Sequence, residues 1–433
     1  MRKALLSLLF AMSPIFAIAE TNDFGLTFGG FVKNDFFYDT RQTVNIREGH
    51  FLLYPAGQNF DANGIDLNDA STTNFLSIQT RLTGKITAPD AFGAKVSGII
   101  EADFFGNENA SFVDANGFRL RHAYAKLNWS NTEFLFGQMW HPMFNTEIFS
   151  EVISFNTGAP FNPFSRNPQI RITHKMGDFS ILGALIEQRD FVSAGGSTPL
   201  RNAVIPEIHA RLSYKKVFNG KTFQTAVGGG YKTLRPLLAT IAGGKNYESD
   251  ETISGFTSTA FVKFAASNFT WKAQAVYGQN ITDLTMMGGY AVSEVLDAAT
   301  NKVKYTPINS FASWTEFIQK VGKFQFALWA GYTEILGSDD KILIYSDQVG
   351  GTLSTLRGTT ANNSSAIKNM MRVSPRVVLT SDKINFAFEL EYTSAGYAKK
   401  DTNGNLMRDE FGVISETENI SNIRSLFSVI LKF

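Results

Sequence analysis

Apolar and polar residues alternate along most of this chain, in runs of eight to seventeen broken by turn residues. Successive side chains of a β-strand point to opposite faces, so a period of two marks a strand with one apolar face. The pattern predicts sixteen strands, at 24–37, 72–88, 91–105, 117–129, 132–139, 168–176, 178–190, 206–217, 221–235, 252–266, 268–280, 309–321, 323–336, 368–381, 383–396 and 420–433. Tight turns at Ala88-Pro89-Asp90, Ser130-Asn131, Gly177-Asp178, Asn219-Gly220, Ser267-Asn268, Gly322 and Ser381-Asp382 alternate with long connections, among them 38–71, 281–308 and 337–367.

The expected fold class is all-β, a transmembrane antiparallel β-barrel of sixteen strands. Short turns at one end and long loops at the other are the arrangement of outer-membrane barrels, and closure removes the sheet edges that lipid would not tolerate. Composition agrees. The chain of 433 residues carries 39 Phe, yet its mean hydropathy is −0.08 and no internal run is long enough for a spanning helix. Trp129, Trp140, Tyr231, Trp271, Trp314 and Tyr392 fall mainly near predicted strand ends, where interfacial girdles sit. There is no Cys, hence no disulfide or thiolate metal site. Basic runs are too short for a nucleic-acid face, so no nucleic-acid partner is expected.

Both termini support export to a membrane. Met1-Arg2-Lys3, the apolar stretch Ala4 to Ile18 and Ala17-Ile18-Ala19 form a three-part secretory leader, expected at 1–19, with 20–433 a single barrel. Without Arg2 and Lys3 the mature net charge is −1 rather than +1. Leu426 to Phe433 alternates and ends on an aromatic residue, so Phe433 is the expected assembly signal for the barrel-insertion machinery.

Charges fall on one face of these strands. Arg81, with Thr83 and Lys85, opposes Leu82 and Ile86. Arg119 and Arg121 oppose Phe118 and Leu120, with Ala123 and Ala125 expected to continue the arginine face. Arg171, Arg211, Arg372 and Arg376 likewise oppose branched apolar residues, and Lys33, Asp35 and Glu101 share the polar side. A charge on the lipid face at mid-depth costs ~2–4 kcal/mol, so these groups should face the interior.

One long interruption, 140–167, stands beside the arginine strands. Its Glu147 and Glu151 are four apart, as on one side of a short helix. The expected arrangement is an inward-folded third external loop. Glu147 and Glu151 would then stand across a constriction from Arg81, Arg119, Arg121 and Arg171, giving a transverse field. The competing reading pairs these arginines with interior acids as structural ion pairs.

The run Gly117 to Leu127, then Phe134-Leu135-Phe136-Gly137-Gln138-Met139-Trp140 and the acidic, aromatic segment after it, resembles the trimeric sixteen-stranded bacterial porins, of the DcaP-like and Bacteroidota type. Gln138 stands where many general porins carry a basic residue. The resemblance implies a homotrimer in the Gram-negative outer membrane, surrounded by lipid and lipopolysaccharide, with an inserted third loop facing an arginine ladder. It also implies small dicarboxylates or other negatively charged solutes.

The function expected is a water-filled channel for passive diffusion of small hydrophilic solutes and ions, favouring anions or carboxylates. A barrel enzyme is disfavoured, because His50, His122, His141, His174 and His209 show no catalytic spacing. A surface-exposed adhesive or structural barrel acting through its long loops is the alternative. No cofactor is expected. The turns Asp61-Ala-Asn63-Gly64, Asp114-Ala-Asn116-Gly117 and Asp401-Thr-Asn403-Gly404 are the candidate calcium positions, against the reading of ordinary Asx turns.

Overall fold

A computed structural model describes residues 24–106, 117–193, 195–343 and 366–433. The leader expected at 1–19 and the turn at Asp114 lie outside the described residues.

Sixteen antiparallel staves close on themselves. In order they are Gly25–Asp39, Thr72–Leu76 continued by Arg81–Ala91, Ala94–Asp103, Arg119–Asn128, Thr132–Trp140, Arg166–Met176, Phe179–Ile186, Glu207–Phe218, Lys221–Leu234, Ile253–Ala265, Phe269–Gln279, Lys302–Val321, Phe324–Ser338, Ile367–Ser381, Ile384–Ala398 and Thr417–Lys432. The first pairs with the last, Phe31 opposite Lys432 through Asp39 opposite Arg424, and with the second, Leu26 opposite Ile86. Closure therefore leaves no long unpaired edge among the described residues. The two faces separate by polarity. Val227, Ile172 and Phe388 are exposed on the outside, whereas Arg372, Glu389 and Glu316 on the other face are 1% exposed or less.

Three boundaries differ from expectation. The first tight turn is at Phe92-Gly93, both with positive φ, not at Ala88-Pro89-Asp90, because the ladder continues to Ala91 opposite Ala94. The predicted strand 72–88 is interrupted at 77–80. The connection 281–308 is largely strand, since Gly289–Asp297 pairs with the beginning of Lys302–Val321 and extends the wall.

The fourth correction matters most. The ladder slips by one residue between Glu101 and Ala102, so Glu101 lies opposite His122 while Ala102 lies opposite Leu120. A bulge of this kind moves the following residues to the other face. Ala123 and Ala125 therefore lie beside exposed Ile100 and Phe136, not on the arginine face where alternation placed them. Gly137 completes the local geometry. A Cβ there would stand 2.2 Å from the Ala123 carbonyl oxygen, and its φ is +124°. The Gln138 amide next to it donates to the Arg121 and Leu120 carbonyls at 3.0 and 3.2 Å.

The largest apolar cluster joins wall to loops. Phe51, Leu53 and Tyr54 from the first long connection pack with Phe144, Phe155, Phe161 and Phe164 from 141–165. Wall residues Trp314, Trp329 and Met370 complete it. In the first connection Thr43–Ile46 and Phe51–Pro55 form a hairpin, and every residue of Phe51–Pro55 is buried.

Candidate functional site

The segment 141–165 leaves the wall after Trp140 and returns at Arg166. Its backbone is held by charged side chains on the polar face of distant strands. Four cations take its carbonyls. Lys263 Nζ donates to Glu147 O at 2.9 Å, Lys272 Nζ to Phe149 O at 2.8 Å, Lys33 Nζ to Ile153 O at 2.6 Å and Arg372 Nη1 to Ala159 O at 2.7 Å. Wall acids take its donors. Glu316 accepts from Glu151 N at 3.0 Å, Glu389 from Ile153 N at 2.8 Å and Ser154 N at 3.3 Å, and Glu391 from the Asn156 amide at 2.8 Å. Hydrogen bonds to charged groups contribute ~1.5–3 kcal/mol each, so this series fixes the path of the segment.

Arg372 is central. It ion-pairs with Glu391 at 2.9 Å and donates to Leu53 O at 2.7 Å as well as to Ala159 O. One guanidinium thus binds both long segments to the wall. A planar five-donor fork suits this task, and a lysine would not replace it. Arg376 Nη2 lies 2.7 Å from Glu316 Oε1. Lys33, Asp35 and His50 form a buried group, with Nζ 3.1 Å and His50 Nε2 2.6 Å from Asp35. His50 belongs to the loop, where burial holds its imidazole below its usual range despite Asp35.

The expected constriction residues divide into two groups. Arg119 grips Asp103 with two nitrogens at 3.0 and 3.1 Å. Arg121 bridges Glu101 at 2.8 Å and Asp103 at 2.9 Å, and Arg81 lies 3.6 Å from Glu101. These arginines are thus matched by wall acids, which is the competing reading. Arg171 donates to Trp140 O at 2.7 Å and to Gln169, at the root of the segment. Glu147 forms a short ion pair with Arg211, and Glu151 meets Lys272 at 2.6 Å. The predicted shared helix face is absent. The 3-10 turn Thr146–Ile148 holds Glu147 alone, and Glu151 lies beyond it. Burial works against ionisation of Glu151, but Lys272 beside it holds the carboxyl below its ordinary value.

Sequence reasoning did not single out Lys263, Lys272, Glu316 or the buried hairpin. A signal existed for each. Lys272 and Glu316 interrupt otherwise apolar or small runs, and Phe51-Leu52-Leu53-Tyr54-Pro55 is a continuous apolar run without alternation, as burial on both faces requires. Beside this hairpin lies a cavity of about 660 Å³ lined by Arg47, Arg119, Arg189, Phe105, Phe155 and Phe191. The two candidate calcium turns within the described residues use their carboxylates internally. Asp61 Oδ1 accepts from Asn63 N and Ile65 N, and Asp401 Oδ1 from Asn403 N and Asn405 N. Among the described residues no three His, Cys, Asp or Glu are grouped as metal ligands.

Fold and interior together define a class, the closed antiparallel barrel of sixteen staves with charged side chains on its inner face. The outer membrane channel DcaP of Acinetobacter baumannii is similar to this chain, with a TM-score of 0.64 over 96% of this chain and 99% of that one, at 17% identity. The anion-selective porin from Comamonas acidovorans superposes with a TM-score of 0.52 over 95% of this chain and 100% of its own, at 11% identity. OmpT of Vibrio cholerae gives 0.52 over 96% and 100%, at 9% identity. At such identities the likeness is one of fold. No protein-family model and no curated protein matches the sequence.

Proposed function

We propose that this chain is a bacterial outer-membrane porin, a passive channel for small hydrophilic solutes and ions rather than a catalyst. The observation that carries the reading is a closed barrel with an apolar outside and a charged interior. A fully apolar inner face would only pack, whereas buried ion pairs and a charge-lined cavity suit a hydrated path. The segment 141–165 folds inward in this reading and narrows the pore, with Phe51–Pro55 filling part of the remaining bore. Its contacts with Lys33, Glu316, Glu389 and Arg372 support this, since they lie on strands far around the wall from its root.

In this reading the aqueous path passes Arg171, Arg211 and Glu147 and the cavity at Arg119 and Arg189. Anions or carboxylates are favoured in this reading, and the anion-selective porin of Comamonas acidovorans supports that preference by analogy of fold. The protein is exported through a leader at 1–19, inserted through its Phe433-ended strand, surrounded by lipid and lipopolysaccharide, and assembled as a homotrimer. It needs no cofactor. Single-channel recording in planar bilayers tests the channel and the trimer together. Discrete steps closing in threes are expected, and a bilayer that stays silent at high protein would refute the channel.

A further inference from the structure

The inner face near the short turns carries cations of a different kind from those described so far. Lys85, Lys95, Lys175, Lys215, Lys320 and Lys432 lie on six different strands and are exposed. Register places their side chains inward. Lys215 follows Arg211 and buried Ser213 on one face and lies opposite buried Gln224, which in turn lies opposite Lys263. Lys175 continues the face of Gln169 and Arg171, and Lys95 that of Glu101. Lys85 follows Arg81, Lys320 follows buried Glu316 and Ile318, and Lys432 follows buried Ser428.

None of these six ammonium groups has an acid partner among the described residues. The acids of the same end are matched elsewhere or few. Glu133 is held by Lys126 at 2.9 Å and Asp178 by Lys216 at 2.5 Å. The arginines higher in the wall, Arg81, Arg119 and Arg121, share Glu101 and Asp103, while Lys33, Lys263, Lys272 and Arg372 donate to the backbone of 141–165. The short-turn mouth thus gathers six ammonium groups without an acid partner, in a chain whose overall charge is nearly balanced. Like charges around a low-dielectric opening add their fields and raise the local concentration of counter-ions.

We propose that this mouth, which faces the periplasm in outer-membrane barrels, is a collecting site for small multivalent anions. The six lysines, rather than the wall arginines, set the charge preference of the channel. The proposal rests on the porin reading above and adds a sidedness to it. An anion meets this ring of ammonium groups at one end of the bore only.

Replacing Lys95, Lys175 and Lys215 together by Gln tests it. All three are exposed and unpartnered, so the barrel should still form. In planar bilayers at ~0.1 M KCl, where the screening length is ~10 Å, the chloride-to-potassium permeability ratio should fall roughly two- to tenfold relative to the unsubstituted channel. At ~1 M, where that length is ~3 Å, the two should converge. Inorganic pyrophosphate should reduce the current at lower concentration from the short-turn side than from the loop side, and the triple variant should abolish that difference. Discrete steps with an unchanged ratio and unchanged pyrophosphate sidedness would overturn the lysine proposal alone. Absence of steps in the unsubstituted protein would overturn the porin reading and this proposal together.

Discussion

At the scale of single residues, the interior is governed by whether each charge has a fixed partner. Arg372 is the extreme case, with Glu391, Leu53 O and Ala159 O all dependent on it. Truncation leaves Glu391 buried without its cation, a loss of ~3–5 kcal/mol for such pairs. Arg372→Ala should lower the thermal midpoint of the detergent-solubilised barrel and make single-channel current noisier, as both segments loosen. A midpoint equal to that of the unsubstituted protein would show that the guanidinium does not hold them. Glu151 gives a pH dependence of known sign. Its folded pKa lies below the unfolded value of about 4.3, so its stabilising contact with Lys272 is complete above that value and is lost as pH falls through the folded pKa. The difference in conductance between the unsubstituted channel and Glu151→Gln should be level from neutral pH to about pH 5 and close only below about pH 4, where Glu151 itself is protonated.

At the scale of elements, the strands and the interruption at 140–167 were legible in the sequence, and the slip of the Arg119 strand and the partners of its arginines were not. The reason is range. Alternation is written locally, because each strand separates an apolar exterior from a polar interior every second residue, as Arg171 and Lys175 against Ile170 and Ile172 show. The slip between Glu101 and Ala102 has no comparable local mark, and one extra residue sufficed to turn Ala123 and Ala125 outward. Which acid meets Arg121 depends on a neighbouring strand, so the sequence could place that arginine inside but could not choose Asp103 over Glu147. The Phe51–Pro55 run carried its own warning, five apolar residues in a connection otherwise polar. If this hairpin fills part of the bore, replacing 43–55 by a short Gly-Ser linker should raise single-channel conductance while leaving the strand signal in circular dichroism intact. Unaltered conductance would place the hairpin outside the conducting path.

At the scale of the whole molecule, two solvents shape one sheet. The outer face exposes Ile172, Leu212 and Val227, and a single Val227→Arg there should cost ~2–4 kcal/mol in reversible urea unfolding from vesicles if it lies at mid-depth. The same substitution at Thr83, on the inner face beside Glu101, should cost far less. Equal penalties on both faces would contradict a lipid-facing exterior. The short-turn lysines belong to this scale as well, since no pair of them defines the mouth and all six contribute to its potential.

The way the wall holds 141–165 has a consequence for how such a protein can change. Lys33, Lys263, Glu316 and Glu389 grip main-chain carbonyls and amides, groups that nearly every amino acid supplies. The path of the segment is thus largely independent of the identity of the residues along it. Side chains pointing from that path into the bore can be exchanged without moving the path itself. In the porin reading the barrel is a mould with an interchangeable insert, in which the width and shape of the passage change with a few substitutions along one short stretch while the lysines of the mouth stay as they are.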